Sequence, residues 1–433
     1  MPNDRVFGEN SLRGLEKPVF RVIVSPWLRT ADTMGGSLMM HKWLFTMMCC
    51  ISAVLTAAFA TCAEPVWETR FAGDRNVLLR DGGRVGFREC VREELRRHPS
   101  SRAEDVLKLC FQGARGPWHI LADPEAARKY FDAEFAAVSP RPDQPLYEII
   151  SPDFMRVNLG AWKAANLPPA WLFRMFAASA REFSDADAVL KEYLAVAESE
   201  LDGARRARFA ELRKTATAAP HHSAAYRAAE APSYRIVSTR FLNALAVLRR
   251  AAALPEQGVR VIAVDGRAAS GKTTLARQLA LILNADTVHM DDFFLPVELR
   301  TEKRYAEPGG NVHYERFIAE VLPRLKDGRP FAYRRFDCSM MAYGDNAEIG
   351  GESWRIVEGA YSLHPKFGNY ADLKVFYDID PAEQMRRIRR RNGERGARMF
   401  KERWIPLEEL YIDKCAPRDR ADLVIGGNGQ SRR

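Results

Sequence analysis

The sequence lacks the cysteine spacings of a disulfide framework or a zinc site. Its 433 residues include only seven cysteines, an odd number, and three of them (Cys49, Cys50 and Cys62) fall within one apolar run. The other four are scattered without a Cys-x-x-Cys pair. These absences exclude the common disulfide-stabilised domains and structural zinc sites, and they favour reduced, mostly buried thiols.

Internal repeats and low-complexity tracts are also missing. With 47% hydrophobic and 28% charged residues, the composition is that of an ordinary globular protein and excludes a disordered, collagenous or multi-span membrane chain. Because the chain is about two to three times the usual domain length, we expect more than one domain.

The positive charge of the chain is concentrated in one place. Of the net charge of +9, most comes from the stretch between Arg386 and Arg398, where seven arginines stand against a single acid, Glu394. A local excess of this kind suits one compact polyanion. Since no RNA-recognition, OB-fold or helicase signature is present, we expect no nucleic-acid partner.

An uncharged segment of 21 residues, 43–63, follows Lys42 and ends in small residues. This layout is typical of a secretory signal or a membrane anchor, beginning at Met39 or Met40. Some forty residues precede it, however, which is unusual for a signal peptide, so residues 1–63 could equally be an N-terminal extension that the functional protein does not need. The sequence leaves both interpretations, and with them membrane association, open.

Residues 64–232 show Ala-rich amphipathic patterns and predict a mainly helical domain of unknown role. A connecting helix and linker are expected over residues 233–257. Polar residues of the helical part, among them Arg156 and His222, could form an anion site or serve as caps and core-edge groups, and the second interpretation is favoured.

The pattern changes at residue 258 to strands that alternate with helices, which predicts a parallel α/β sheet over residues 258–433. Its first strand leads into GRAASGKTT, a match to GxxxxGK[ST] followed at once by a helix. Glycines let such a loop wrap a phosphate closely, with backbone N–H groups pointing inward at the start of the helix. The phosphate-binding residues expected from this P-loop are Gly266, Arg267, Ala268, Ala269, Ser270, Gly271, Lys272, Thr273 and Thr274.

Acidic residues follow two of the later strands. Asp291 and Asp292 come after DTVHM, and Glu358 ends the strand WRIVE. Ligands bind outside the carboxyl ends of the strands in open α/β sheets. We therefore expect one aspartate to accept a proton from a hydroxyl group, and Glu358 together with the Thr273 hydroxyl to bind Mg²⁺.

This order of motifs resembles the uridine kinase family of P-loop phosphotransferases, over about residues 258–427. The resemblance implies that ATP binds to the loop, that Asp291 in DDFF is the catalytic base, and that Glu358 lies near magnesium. It also implies that Arg391 and Arg395 belong to a lid over the phosphates, where guanidinium groups suit phosphoryl oxygens. Arg387, one helical turn earlier, could assist.

The segment that would bind a nucleoside departs from the family pattern. RRFDCSMMAYGD has Phe336-Asp337 where the family has Tyr-Asp, and a methionine near the family's histidine position. We expect an acceptor held by His313, Glu315 or Asp337, and a poor fit for uridine.

The sequence thus predicts a P-loop α/β domain preceded by a mainly α-helical domain. The expected function is transfer of the γ-phosphate of ATP, with Mg²⁺, to a hydroxyl of a small molecule such as a nucleoside, a sugar or a pantothenate-like compound. The catalytic residues would be Lys272, Asp291, Arg391 and Arg395. The alternative is a nucleotide-binding switch or ATPase that regulates a partner. A cytoplasmic location is expected for the kinase domain, and a homo-oligomer remains open.

Overall fold

A computed structural model describes residues 67–72, 75–117 and 123–426. Pro65–Arg433 forms one compact unit. The apolar run 43–63, and with it the whole extension 1–63, lies outside the described residues. Within the described ranges, no helix combines the length and the apolar character that a membrane crossing requires.

A five-stranded parallel sheet organises the C-terminal part, as the sequence predicts. Its strands are β7 (Arg260–Gly266), β8 (Asp286–His289), β11 (Trp354–Glu358), β12 (Leu373–Asp378) and β13 (Leu423–Gly426). They lie side by side in the order β13-β12-β7-β11-β8, so β7, the strand before the P-loop, is central. The apolar residues of these strands are buried on both faces of the sheet, as in other parallel sheets that helices cover on both sides. A separate antiparallel hairpin joins β9 (Phe331–Asp337) to β10 (Ala342–Ile349).

Five helices accompany this sheet, with a short 3₁₀ turn at Met290–Phe293 and a π turn at Phe400–Trp404. They are α10 (Lys272–Leu283), α11 (Glu302–Ala306), α12 (Tyr314–Glu320), α13 (Pro381–Met399) and α14 (Ile405–Cys415). The Arg-rich α13 begins at Pro381, after Asp380, whose carboxylate accepts from the backbone N–H groups of Ala382 and Glu383. Its helical path is interrupted at Gly393, whose φ of 69° is a left-handed value.

Helices predominate in the N-terminal part, as predicted, but its described residues also include six short strands. In chain order, the first three strands form one antiparallel sheet and the last three form another. The elements are β1 (Trp67–Ala72), β2 (Arg75–Arg80), β3 (Gly83–Arg84), α1 (Phe87–Arg97), α2 (Ala103–Arg115), α3 (Pro124–Ala137), β4 (Tyr147–Ile149), β5 (Phe154–Asn158), α4 (Leu159–Ala164), α5 (Pro169–Ser179), α6 (Ala186–Glu200), α7 (Gly203–Thr215), α8 (Ala224–Glu230), β6 (Tyr234–Ser238) and α9 (Leu242–Ala251).

One hydrophobic core continues from the N-terminal part into the sheet. It joins buried residues of α5 and α9, such as Met175 and Leu248, to Leu279 of α10 and Ile262 of β7. The rings of Trp171 and Trp354 meet edge to face at 6.1 Å. The helices ahead of the P-loop therefore pack directly on the layer that carries it.

Arg156 is a core residue of the N-terminal part. Only 1% of its surface is exposed, its Nη1 donates to both carboxylate oxygens of Glu94 (2.8 and 3.0 Å), and its Nε and Nη2 donate to Gln112. His222 is likewise buried between Asp105 and the Tyr234 hydroxyl. Both residues thus form hydrogen bonds to other buried side chains, in line with the interpretation that they serve as caps and core-edge groups.

Replacing Arg156 by methionine should lower the free energy of unfolding by about 3–5 kcal/mol, because the Glu94 carboxylate would be left buried without its partner. Urea denaturation followed by circular dichroism measures this. The matched control is Arg208→Met, since the side chain of Arg208 is 55% exposed and pairs with Glu104 at the surface. That change should cost less than about 1 kcal/mol, and equal losses in both variants would contradict the prediction.

Candidate active site

The P-loop connects the central strand β7 to α10. Gly266, at the end of β7, has a φ of 144°, and a Cβ there would lie 2.1 Å from the carbonyl oxygen of Tyr377. Only glycine fits this close approach to the neighbouring strand. The turn that follows places Lys272 and Thr273 in the first turn of α10, where free backbone N–H groups attract anions.

Lys272 is held inside this loop. Its Nζ donates to the carbonyl oxygens of Gly266 (2.7 Å) and Arg267 (2.8 Å), and the residue is 8% exposed. The hydroxyl of Ser270, also in the loop, is buried without a partner among the described residues. A positive group within a wrapped loop at a helix start is a cradle for phosphate oxygens.

Thr273 and Glu358 come together beside the loop. Glu358 is buried at the carboxyl end of β11, and its Oε2 accepts a hydrogen bond from the Thr273 hydroxyl (3.2 Å). Its Oε1 lies 2.7 Å from His289 Nδ1, and this hydrogen bond raises the pKa of His289. A hydroxyl and a carboxylate next to a phosphate cradle are the oxygen donors that Mg²⁺ takes, so the residues fit the expected metal.

Asp291 and Asp292 differ in their surroundings. Asp292 accepts a hydrogen bond from the Tyr333 hydroxyl (2.9 Å) and lies 3.8 Å from Arg335. Asp291 lines the cavity beside the P-loop, and among the described residues no donor is bonded to its carboxylate. Desolvation and the charge of Glu358 raise the pKa of Asp291. Of the two aspartates, Asp291 is therefore the one free to accept a proton from a bound molecule.

The arginines of α13 also approach the P-loop. Arg387 donates to the carbonyl oxygen of Ser270 (3.0 Å) and to Glu383 (2.7 Å). Arg391 lines the same cavity, and its Nε donates to Asn392. Arg395 lies beyond the break at Gly393 and is not among the cavity-lining residues. Arg386 and Arg390, which the sequence did not single out, do line the cavity.

Together these groups surround a cavity of about 1010 Å³. It brings together the loop residues 268–274, Asp291, Glu358, Arg387 and Arg391. A volume of this size accommodates a nucleotide and a small second molecule.

The three residues expected to hold the acceptor are not brought to this cavity. Glu315 forms a bidentate pair with Arg304 (2.7 and 2.8 Å). Asp337 is in the β9–β10 hairpin, where its carboxylate accepts from the backbone and hydroxyl of Ser339. His313 precedes α12 and also lies outside the lining. Met340, in the same hairpin turn, is 75% exposed and is not among the cavity-lining residues.

Several lining residues were not anticipated from the sequence. Glu408 of α14 is buried, and its Oε2 accepts from the backbone N–H of Ala268 (2.6 Å) while its Oε1 accepts from Gln384. Burial raises the pKa of Glu408. Asn243 of α9 donates to the Tyr377 hydroxyl (2.6 Å) at the edge of the cavity. The N-terminal part thus contributes directly to the wall of the site.

No protein-family model matches the chain. Among solved structures, the chain is similar to a possible uridine kinase from Bacillus stearothermophilus at 21% identity and a TM-score of 0.34, covering 43% of this chain and 96% of that chain. It is also similar to D-glycerate 3-kinase from Cryptococcus neoformans at 18% identity and a TM-score of 0.31, covering 43% of this chain and 93% of the other. Shikimate kinase from Bacteroides thetaiotaomicron matches at 18% identity and a TM-score of 0.23, covering 40% of this chain and 90% of the other. The resemblance to small-molecule kinases is therefore found among solved structures, over less than half of the chain.

Proposed function

We propose that this protein is an ATP-dependent kinase that transfers the γ-phosphate of ATP to a hydroxyl group of a small molecule. One observation carries the proposal: the unbonded carboxylate of Asp291 opens into the same cavity as the P-loop with Lys272. A loop that only binds a nucleotide has no need of a free carboxylate with a raised pKa beside it. A kinase uses such a group to deprotonate its acceptor.

The transfer is a direct displacement. The acceptor oxygen forms a bond to the γ-phosphorus, the bond from that phosphorus to the oxygen bridging to the β-phosphate breaks, and ADP leaves with the electron pair. The hydroxyl proton passes to Asp291. Lys272, Arg387 and Arg391 balance negative charge on the phosphoryl oxygens, and the cavity walls hold donor and acceptor in line.

Thr273 and Glu358 would hold Mg²⁺, which when bound supplies positive charge to the phosphate oxygens. The hydrogen bond from His289 orients the Glu358 carboxylate and occupies its second oxygen. An outer partner of this kind fixes a metal ligand in one orientation.

The full-length protein should consume ATP faster when a suitable hydroxyl compound is added, because the acceptor oxygen completes the site. A panel of nucleosides, sugars, sugar phosphates and hydroxy acids, read by mass spectrometry for a gain of one phosphoryl group, tests this. Lys272→Ala protein serves as the blank for contaminating kinases. Slow ATP hydrolysis that is unaffected by every compound, with no phosphorylated product, would instead favour the nucleotide-binding switch.

A further inference from the structure

Five of the arginines that line the cavity have no carboxylate partner among the described residues: Arg240, Arg300, Arg390, Arg391 and Arg403. Two of them lie outside both the Arg-rich α13 and the N-terminal part, namely Arg300, which follows β8, and Arg403, in the π turn after α13. Neighbouring arginines differ, since Arg304 pairs with Glu315 and Arg316 with Glu320. A guanidinium group that faces a partly enclosed cavity binds an anion most strongly when the anion accepts two hydrogen bonds from it.

Arg300 lines the same cavity as Asp291 and Cys338. Its Nε donates to the carbonyl oxygen of Leu295 (2.7 Å), which fixes the guanidinium group. Desolvation raises the pKa of the Cys338 thiol, the charge of Arg300 lowers it, and the charge of Asp291 raises it. Both charges thus act on one cavity-lining thiol.

Arg403 contacts α11. Its Nη2 donates to the Tyr305 hydroxyl (3.2 Å), and its guanidinium carbon lies 5.1 Å from the centre of the Tyr305 ring and 4.9 Å from that of Trp404. Aromatic faces hold a guanidinium group in place without neutralising its charge. The charge of Arg403 therefore remains available to a ligand.

A buried amide adds a hydrogen-bond acceptor to this wall. Asn311 is 6% exposed and lines the cavity together with Tyr361. Its Oδ1 has no donor among the described residues. A buried acceptor without a donor costs free energy, which a hydroxyl group of a bound molecule would recover.

The arginines of α13 have a separate role in this arrangement. Arg387 is bonded to the P-loop carbonyl of Ser270, so it lies where the nucleotide phosphates bind. The side chains of Arg300 and Arg403 come from other segments and make no hydrogen bond to the P-loop or to α13 among the described residues. Their guanidinium groups are therefore available to a second ligand in the cavity beside the nucleotide.

We propose that the acceptor is a hydroxylated small molecule that also carries a negatively charged group, a carboxylate or a phosphate, which Arg300 and Arg403 bind while Asp291 receives the hydroxyl proton. This inference rests on the proposed kinase function and narrows its substrate class. Neutral nucleosides such as uridine lack the charged group and are therefore poor acceptors.

Matched pairs of compounds test the charge requirement. Glycerate is compared with glycerol, ribose 5-phosphate with ribose, and uridine is included as a neutral nucleoside. At least one anionic compound should be phosphorylated with a kcat/KM about 10- to 100-fold or more above that of its neutral counterpart, the worth of a charge-assisted hydrogen bond. The glycerate and ribose pairs separate a carboxylate from a phosphate as the charged group.

Arg300→Met and Arg403→Met should each raise the KM for the anionic acceptor about 10- to 100-fold while the KM for ATP stays within about twofold. Arg300→Lys, which keeps the charge, should recover part of the loss, and thermal denaturation checks that the variants fold. Lys303→Met is the control, because Lys303 lies on the same α11 segment outside the cavity lining.

The outcomes separate the two claims. Phosphorylation of neutral compounds alone, or variants that raise the KM for ATP and leave that for the acceptor unchanged, would overturn the charged-acceptor inference and leave the kinase standing. If no compound in either half of the panel is phosphorylated, the proposed function fails and the inference falls with it.

Discussion

Lys272→Ala protein should lose phosphate transfer by about 10²–10³-fold. Lys272 is the one lysine within the described P-loop, and its Nζ is bonded to the carbonyls of Gly266 and Arg267 rather than to a carboxylate. Its charge is therefore available to phosphate oxygens as negative charge shifts during transfer. Removal of one preorganised donor of this kind typically costs 10²–10³-fold in turnover.

The measurement is single-turnover transfer at saturating acceptor, with ATP binding followed separately by calorimetry. Lys303→Ala, which removes an exposed lysine outside the cavity, should transfer at the wild-type rate. Wild-type transfer by Lys272→Ala protein would show that the loop is not the site of phosphate binding.

The part of the candidate site that we propose binds phosphate could be predicted from the sequence because its residues are contiguous. The P-loop needs one strand, one turn and one helix start, and all three have local signals. Glu358 was also predictable, since parallel strands that share a sheet end at the same edge, and β11 lies beside β7. Its pairing with Thr273 follows from that adjacency.

The acceptor side could not be read in this way. Arg300, Asn311 and Arg403 lie in loops and turns that are distant in sequence, and only the packing of α11 against the π turn brings the first and last of them to one cavity. Glu315 was chosen for its place in the sequence, but Arg304, eleven residues earlier, binds it. A sequence pattern based on residue types does not show which side chains pair with one another in the fold.

The strands of the N-terminal part were missed for a related reason. Elements such as β4 (Tyr147–Ile149), with three residues, are too short to show the alternation that identifies a strand. β5 (Phe154–Asn158) is buried at every position, so it shows no alternation either. The Ala-rich helices before and after these strands therefore determine the hydrophobicity pattern of this part of the sequence.

Asp291→Asn protein should keep its affinity for ATP and lose about 10²–10⁴-fold in turnover, the usual contribution of a general base. The amide preserves the shape of the side chain but cannot take the hydroxyl proton. Asp292→Asn is the matched control. Its side-chain oxygen can still accept from the Tyr333 hydroxyl, so that variant should transfer phosphate at close to the wild-type rate.

The pH dependence distinguishes a base from a residue that only shapes the cavity. A general base works when deprotonated, so turnover should fall as the pH drops through the pKa of Asp291. Desolvation and the Glu358 charge raise that pKa in the metal-free protein, and Mg²⁺ held at Glu358 would oppose the second of these effects. In Asp291→Asn protein the residual rate should lose this acid limb, whereas Asp292→Asn protein should keep it. An acid limb that persists unchanged in Asp291→Asn protein would assign the proton transfer to another group.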